Sequence, residues 1–368
     1  MRYLVCAFLL FYLYAACKAQ RHFTDIDQWV RKYHPTTNNP DTIARELTAH
    51  AINDFQKTRA IYQFLVHHIS YDHAVAQKGL KRINRSNHDI LKRRRAICWG
   101  YAQLMTHMCQ QVGIEAYTVS GYSSMHDGTY STLQKPDHAW NVVSIEDEYY
   151  HLDATWASNV RERSDYFFLP EPQQFGEDHY PIMAMWQLLD CPTSINDFKA
   201  HNQHLSDSTS CTFAFRDSIV QFTTLPYIDR RLKEESLGFK DNPTPANRQS
   251  YAHALMDRAM VHKEEADSLF EIDAFEAAMA SYEAALQQFA EANVATDLFP
   301  WQQEALGFTY FNYAQAQYRH LYNKGRRSYP KVRNALNEAQ RILLDMESES
   351  WLVKNALRSI DMYLSQIP

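Results

Sequence analysis

Residues 98–113 read CWGYAQLMTHMCQQVG, and their apolar side chains recur at intervals of three and four positions. This spacing predicts an amphipathic helix with one face against a core. The apolar positions are Tyr101, Leu104, Met105, Met108, Cys109 and Val112. Gly113 can supply the positive φ that commonly ends a helix. Cys98 therefore opens the helix, where free backbone N–H groups and the helix dipole favour a thiolate.

Cys98 is a candidate nucleophile because the thiolate is the form of cysteine that attacks carbonyl carbon. A buried structural cysteine is the alternative interpretation for a single residue. The choice between a nucleophile and a structural cysteine depends on the other residues of the sequence.

Two extended runs further along the chain flank a two-residue turn at 146–147. Pairing across such a turn places Trp140 opposite Asp153, so His138 becomes a diagonal neighbour of Asp153 on the same face. The carboxylate could then reach the imidazole. A three-residue turn would break this geometry, and two polar residues on a half-exposed hairpin are the alternative.

In the stretch from residue 54 to residue 95, the sequence predicts one helix and one loop. Helical spacing of apolar residues predicts a helix over 54–69. The polar and basic stretch 84–95 is predicted as a loop.

The overall composition is that of a globular chain with more than one domain. Its 368 residues exceed what a single core usually supports. The net charge of −6, from 37 basic and 43 acidic residues, argues against a nucleic-acid partner. The basic run Arg93–Arg95 is too short to change this conclusion.

The N-terminus has the pattern of an export signal. Arg2 precedes an apolar run from Tyr3 to Ala16, and small residues lead to Ala19. We therefore predict that residues 1–19 are removed and that the protein is exported to the periplasm, the medium or the cell surface. A lipid anchor at Cys17 is the alternative. An uncleaved membrane anchor is a further alternative, which the run disfavours because it is shorter than the ~20 residues that span a bilayer. No other segment has the length and apolar character of a span, so no transmembrane span is predicted in the mature chain.

Four cysteines lie beyond the predicted leader. Cys98 and Cys109 would sit about 16 Å apart on one helix, too far for a disulfide. Cys191 and Cys211 could pair in an oxidising compartment. The chain has no C-x-x-C pair, and the histidines at 67–73 lack metalloprotease spacing. No metal and no other cofactor are predicted.

The chain is predicted to contain a catalytic domain at 20–205, a strand-containing linker at 206–245 and an all-α domain at 246–368. The strand of the linker is predicted over Thr212–Thr224. Beyond the linker the sequence is alanine-rich, with apolar stripes at helical spacing. The stretch Ala266–Leu286 resembles a tetratricopeptide repeat, although no second clean copy follows it, and an unrelated helical bundle is the alternative. Helices of this kind predict a surface that binds a protein partner.

Three motifs resemble those of the transglutaminase-like superfamily of papain-type thiol folds. They are AICWGYA at 96–102, HAWN at 138–141 and DATW at 153–156. Three further segments resemble the prokaryotic and kyphoscoliosis-peptidase-like branch of that superfamily. They are YFFL at 166–169, HYP at 179–181 and WQLL at 186–189. The resemblance covers about residues 52–200. It departs from the branch at Ala96, where glycine is usual, and at Phe64, where tryptophan is common.

The resemblance implies an α+β fold in which a papain-like nucleophile helix packs on an antiparallel sheet. It implies Cys98 as the nucleophile, His138 as the base and later the acid, and Asp153 as the residue that orients the imidazole. The backbone N–H of Cys98 would be one oxyanion donor. Gln63 and Gln56 are candidates for the second.

The three tryptophans next to these motifs, Trp99, Trp140 and Trp156, are predicted to wall the substrate site. A role as plain core aromatics is the alternative.

The resemblance implies a cysteine-dependent acyl-transfer enzyme, and we expect it to hydrolyse peptide or isopeptide bonds of a peptide or protein substrate. Transglutaminase-type amine transfer and a catalytically silent binding module are the alternatives. Peptide N-glycanases of the same superfamily carry zinc-binding C-x-x-C pairs, which this chain lacks. That activity is therefore set aside.

If residues 1–19 are a cleaved export signal, N-terminal sequencing of the exported protein should begin at Gln20. A lipid-modified start at Cys17 would favour the anchor instead. An intact Met1 in exported material would contradict cleavage.

Overall fold

The computed structural model describes residues 23–77, 85–124, 133–200, 211–326, 329–346, 348 and 350–367. The predicted leader at 1–19, the alternative lipidation site Cys17 and the predicted boundary after residue 205 lie outside these residues. The chain divides into two units, one that ends at Ile219 and one that begins at Val220.

The first unit combines short helices with an antiparallel sheet. Its α-helices are α1 (Thr24–Lys32), α2 (Pro40–Thr48), α3 (Asp54–His68), α4 (His73–Gln77), α5 (Asn87–Arg93), α6 (Cys98–Gln111), α7 (Ala154–Asn159), α8 (Pro172–Phe175) and α9 (Ile195–Lys199). Its 3₁₀ helices are Arg161–Phe167 and Ala184–Gln187. Its strands are β1 (Ser70–Tyr71), β2 (Arg95–Ala96), β3 (Glu115–Ser123), β4 (His138–Ile145), β5 (Glu148–Leu152) and β6 (His179–Pro181). Strands β1 and β2 form a parallel pair, and the antiparallel sheet has the order β5-β4-β3-β6. This confirms the α+β prediction.

Helix α6 packs at the centre of the first unit, in contact with α2, α3, β3 and β4. Five of the six predicted apolar positions are buried: Tyr101, Leu104, Met105, Met108 and Cys109. Gly113 adopts a φ of 83°, and the Ile114 N–H donates back to the Cys109 carbonyl, which closes the helix. A helix fixed in this way fixes the position of its first residue, Cys98.

The hairpin β4–β5 has the predicted register. Ile145 pairs with Glu148, and the pairing continues to Asn141 with Leu152. Glu146 and Asp147 both have positive φ, 55° and 63°, as a two-residue type I′ turn requires. This register brings the start of β4 beside the residue that follows β5, which is Asp153.

Strand β6 lies so close to β3 that position 121 accepts only glycine. A Cβ built on Gly121 would lie 2.2 Å from the Tyr180 carbonyl oxygen, 2.4 Å from the Trp140 ring and 2.9 Å from Pro181 Cα. The Tyr180 oxygen and the Pro181 Cα are backbone atoms, so they cannot rotate away from an added Cβ. Glycine at this position therefore lets β6 pair closely with β3.

Two predictions for secondary structure were wrong. The stretch predicted as a loop over 84–95 contains helix α5, which Ser86 caps by accepting a hydrogen bond from the Asp89 N–H. The stretch predicted as a strand over Thr212–Thr224 is helical at α10 (Phe215–Thr223). The buried residues of α10, Ile219 and Phe222, are three positions apart, which is the period of a helix and not of a strand.

The second unit is helical where it is described. Its helices are α11 (Tyr227–Asp241), α12 (Pro245–Glu271), α13 (Phe275–Ala295), α14 (Pro300–Asn323), α15 (Pro330–Asp345) and α16 (Trp351–Gln366). Each contacts the next along the chain, from α11 with α12 to α15 with α16. The helical character of this region was predicted, and the resemblance to tetratricopeptide repeats stays a prediction.

Cys191 and Cys211 are not joined by a disulfide. The Cys211 thiol lies 3.5 Å from the Asp190 carbonyl oxygen and also hydrogen-bonds Cys191. Their pairing in an oxidising compartment stays a prediction.

Across the described residues, no helix combines the length and the apolar character needed to cross a bilayer.

We expect Gly121→Ala to destabilise the protein by about 1–3 kcal/mol, because the added methyl must displace β6 backbone. Gly176→Ala is the matched control, since its Cβ would approach no heavy atom closer than 3.3 Å. The free energy of unfolding, measured in urea, checks both variants. Equal stability of Gly121→Ala and the unchanged protein would contradict the close approach of β6.

Candidate active site

Cys98 is the first residue of α6 and is 8% exposed. It follows the two-residue strand β2, and its N-cap Ile97 is extended, with φ −92° and ψ 174°. An isoleucine side chain cannot accept hydrogen bonds from the N–H groups of the first helical turn. These groups and the helix dipole therefore favour a negative charge at the sulfur of Cys98.

His138 is the first residue of β4 and is buried beside Cys98. It pairs with Gly121 of β3, whose carbonyl accepts a hydrogen bond from the Asp137 N–H at 2.9 Å. The Nε2 atom of His138 lies 2.7 Å from Asp153 Oδ2. The His138 ring also hydrogen-bonds the Cys98 side chain. With Nε2 engaged by the carboxylate, Nδ1 is left for the thiol.

Asp153 is fully buried, and hydrogen bonds fill the acceptor sites of its carboxylate. Its Oδ1 accepts from the backbone N–H groups of Thr155 and Trp156, at 2.7 and 3.1 Å, and so caps α7. Its Oδ2 faces His138 Nε2 at 2.7 Å and His179 Nε2 at 3.2 Å. A carboxylate has about four acceptor positions, two at each oxygen. This carboxylate therefore has almost no freedom to turn.

The electrostatics of the site favour an ionised carboxylate and a charged imidazole. Burial alone would raise the pKa of Asp153, but the charge and hydrogen bond of His138, with those of His179, hold it well below its usual range. Burial alone would lower the pKa of His138. The Asp153 charge and hydrogen bond, with the hydrogen bond to Cys98, instead raise it to about 10. His138 is thus an imidazolium at neutral pH.

His179 is a site residue that lies in one of the sequence motifs but for which no role was predicted. It is the first residue of β6, and its side chain is fully buried. Its Nδ1 lies 2.5 Å from Asp178 Oδ1, and its ring stacks on Phe175 at a centroid distance of 3.9 Å.

The contact of His179 with Asp153 joins residues 26 positions apart. It depends on the pairing of β6 with β3, in which Gly121 lies opposite Pro181. The local sequence carries no signal for this pairing. A histidine that begins a short apolar segment after the third motif was the available clue.

The three predicted wall residues have different surroundings. Trp156 is half-buried, with its ring 5.3 Å from His138 and 4.5 Å from His179. Trp140 is fully buried, with its ring 6.0 Å from His138 and 5.0 Å from His179. Trp99 is half-buried next to Cys98 on α6. Trp140 and Trp156 thus enclose the two imidazoles, and Trp140 is also a core aromatic.

The two candidates for a second oxyanion donor bond elsewhere. The Gln63 amide is best assigned with its oxygen accepting from Arg59 at 2.7 Å and its nitrogen donating to His67 at 3.0 Å. The Gln56 carbonyl accepts from the Ile52 N–H at 3.1 Å, outside the first turn of α3.

A group of three side chains in the described part of the chain could also be considered as metal ligands. His138, Asp153 and His179 offer ligand atoms within 4.8 Å of one another. The 2.7 Å separation of His138 Nε2 from Asp153 Oδ2 is that of a hydrogen bond. Two ligands of one tetrahedral zinc ion lie about 3.3 Å apart, given bonds of about 2.0 Å. This geometry suits shared protons better than a shared metal ion.

Comparison with known proteins identifies similar sequences for the region that contains the site. Residues 41–154 match the family model of the transglutaminase-like superfamily. The chain is 34% identical over 180 residues to kyphoscoliosis peptidase of Homo sapiens, which covers 45% of this chain and 27% of that protein. It is 34% identical over 178 residues to kyphoscoliosis peptidase of Mus musculus, which covers 45% and 26%. The chain thus spans just over a quarter of the length of these curated relatives.

Among solved structures, the crystal structure of a TGase aligns with a TM-score of 0.25 and 16% identity. That alignment covers 40% of this chain and 38% of the other. The sequence matches and the α+β fold around α6 support one conclusion: residues 41–154 are similar to the core domain of the transglutaminase-like superfamily.

Proposed function

We propose that this protein is a cysteine-dependent acyl-transfer enzyme that hydrolyses peptide or isopeptide bonds. Cys98 would be the nucleophile, His138 the proton-transfer group and Asp153 the residue that orients the imidazole. The single observation that supports this most is the buried hydrogen-bonded series from Cys98 through His138 to Asp153.

The first half of the reaction forms a thioester. The Cys98 thiolate attacks the carbonyl carbon of the substrate, and the carbonyl oxygen becomes an oxyanion beside the start of α6. The His138 imidazolium then gives its proton to the leaving amine as the carbon–nitrogen bond breaks. The products of this half are a free amine, an acylated Cys98 and a neutral His138.

The second half releases the acyl group. Neutral His138 takes a proton from water as the water oxygen attacks the thioester carbon. The carbon–sulfur bond breaks, the acid product leaves, and the thiolate–imidazolium pair is restored. Asp153 stays ionised throughout, because its role is to hold the ring and to stabilise the imidazolium.

The choice of water as the acceptor rests on similarity. Two of the relatives found among known proteins, from Homo sapiens and Mus musculus, are named as peptidases. An amine acceptor would use the same thioester and differ only in the second half, so amine transfer is the second outcome of the test. Export of the enzyme and a protein partner for the second unit stay predictions.

Trp140 and Trp156 are proposed to shape the substrate side of the site. Their rings lie against the imidazoles, where they exclude water from the His138–Asp153 hydrogen bond. Trp99 is proposed as a substrate contact because it is half-buried next to the nucleophile.

We expect the purified protein to cleave members of a peptide library and Cys98→Ala to lose this activity by about 10³-fold or more. Cys191→Ala is the matched control, since that thiol lies outside the proposed machinery, and it should cleave normally. Mass spectrometry of the products, with and without a primary amine, measures both reactions.

Three other outcomes of this experiment would each change the proposal. Amine-containing adducts without cleavage, dependent on Cys98, would show amine transfer instead of hydrolysis. A folded protein that forms no product in either assay would favour a binding module. Cleavage that survives in Cys98→Ala would exclude Cys98 as the nucleophile.

A further inference from the structure

One oxygen of Asp153 faces two imidazoles. Its Oδ2 lies 2.7 Å from His138 Nε2 and 3.2 Å from His179 Nε2. The Asp153 and His179 side chains are fully buried and that of His138 is 5% exposed. The proposed reaction moves protons only through His138, so it leaves the second imidazole without a role. A second imidazole buried against the same carboxylate oxygen should affect the reaction.

The number of protons in this cluster follows from the geometry. A neutral imidazole has one N–H and one lone pair. Both nitrogens of His179 face carboxylate oxygens, because Nδ1 also lies 2.5 Å from Asp178 Oδ1. A neutral ring would therefore point a lone pair at a carboxylate. One extra proton must be present, either on His179 or on one of the two carboxyl groups, Asp153 or Asp178.

The extra proton belongs on His179. In water an imidazole is more basic than an aspartic acid by about 2.6 pKa units. Burial alone would lower the pKa of His179, but hydrogen bonds to Asp153 and Asp178 and the charges of both raise it. His179 is thus an imidazolium that donates to two carboxylates.

The titratable groups around His179 come from several elements. Asp178 precedes it, Asp153 lies at the start of α7, and His138 is on β4 with its ring centroid 5.4 Å away. His151 of β5 stacks on the far side of the cluster, on Phe175. Burial lowers the pKa of His151 to about 3, so this ring is neutral. The Cys98 thiol lies beyond His138, to which it is hydrogen-bonded.

We propose that His179, held as an imidazolium by Asp178, is a positioning residue that fixes Asp153 and places a positive charge beside the Cys98–His138 pair. The role rests on the proposed function of that pair. It is a positioning role, because the hydrogen bonds of His179 go to Asp153 and Asp178 and its effect reaches the Cys98–His138 pair through Asp153 and through its charge.

The direction of the effect on the Cys98 thiol follows from the positive charge of His179. A cation beside the Cys98–His138 pair, here 5.4 Å from the His138 ring, stabilises the thiolate of that pair relative to the thiol. Without that cation, the thiolate forms only at higher pH. Removal of Asp178 also discharges His179, but it removes a negative charge as well, so its effect has the same direction and is smaller.

The experiment measures the rate at which iodoacetamide alkylates Cys98 between about pH 4 and about pH 10. The full-length protein is used, with peptide mass spectrometry as the readout. In His179→Gln, whose amide can still donate to Asp153, we expect the pH of half-maximal rate to rise by about 1 unit. In Asp178→Asn we expect a smaller rise. His151→Gln is the matched control, because His151 is equally buried and stacks on the same Phe175, and we expect no shift.

A His179→Gln profile that coincides with that of the unchanged protein would overturn the inference, as would an equal shift in His151→Gln. If circular dichroism shows that His179→Gln does not fold, Asp178→Asn decides in the same way. If neither variant folds, the ¹⁵N chemical shifts of the His179 ring decide, since a neutral ring at pH 7 would overturn the inference. Alkylation requires no turnover, so a protein without hydrolytic activity that still shows the shift would reject the proposed hydrolysis and support the role of His179.

Discussion

The buried carboxylate of Asp153 is the group on which the rest of the site depends. An isolated carboxylate loses several kcal/mol of solvation when it leaves water, and it would then bind a proton. Here two backbone N–H groups hold one oxygen and two imidazoles hold the other. Hydrogen bonds to charged groups each contribute about 1.5–3 kcal/mol, so the four together can keep the charge in place.

Each of these hydrogen bonds comes from a different part of the fold. The N–H groups belong to the first turn of α7, which Asp153 caps. His138 is brought in by the register of β4 with β5, and His179 by the pairing of β6 with β3. Gly121 connects the two, because it pairs with His138 on one side and leaves room for β6 on the other. The sheet, the short helix and the glycine are therefore parts of one electrostatic arrangement.

The features that depend on local periodicity could be predicted from the sequence. The spacing of apolar residues gave α6 and its end at Gly113, and a two-residue turn gave the register that joins His138 to Asp153. The role of His179 could not be predicted, because it needs the contact between β6 and β3 across a long stretch of chain. The strand predicted over Thr212–Thr224 failed for a different reason. Its run of apolar residues fits either period, and burial of Ile219 and Phe222 selects the helix.

The central claim is that Asp153 holds His138 as an imidazolium beside the nucleophile. The most direct test is ¹H–¹⁵N NMR of the His138 ring as a function of pH, with His138→Gln to assign its signals. The account predicts that both ring nitrogens stay protonated well above the ordinary imidazole pKa of about 6.5 and lose a proton only near pH 10. In Asp153→Asn, whose amide can still cap α7, the titration should move back toward the ordinary value. A His138 ring that titrates near 6.5 in the unchanged protein would contradict the account.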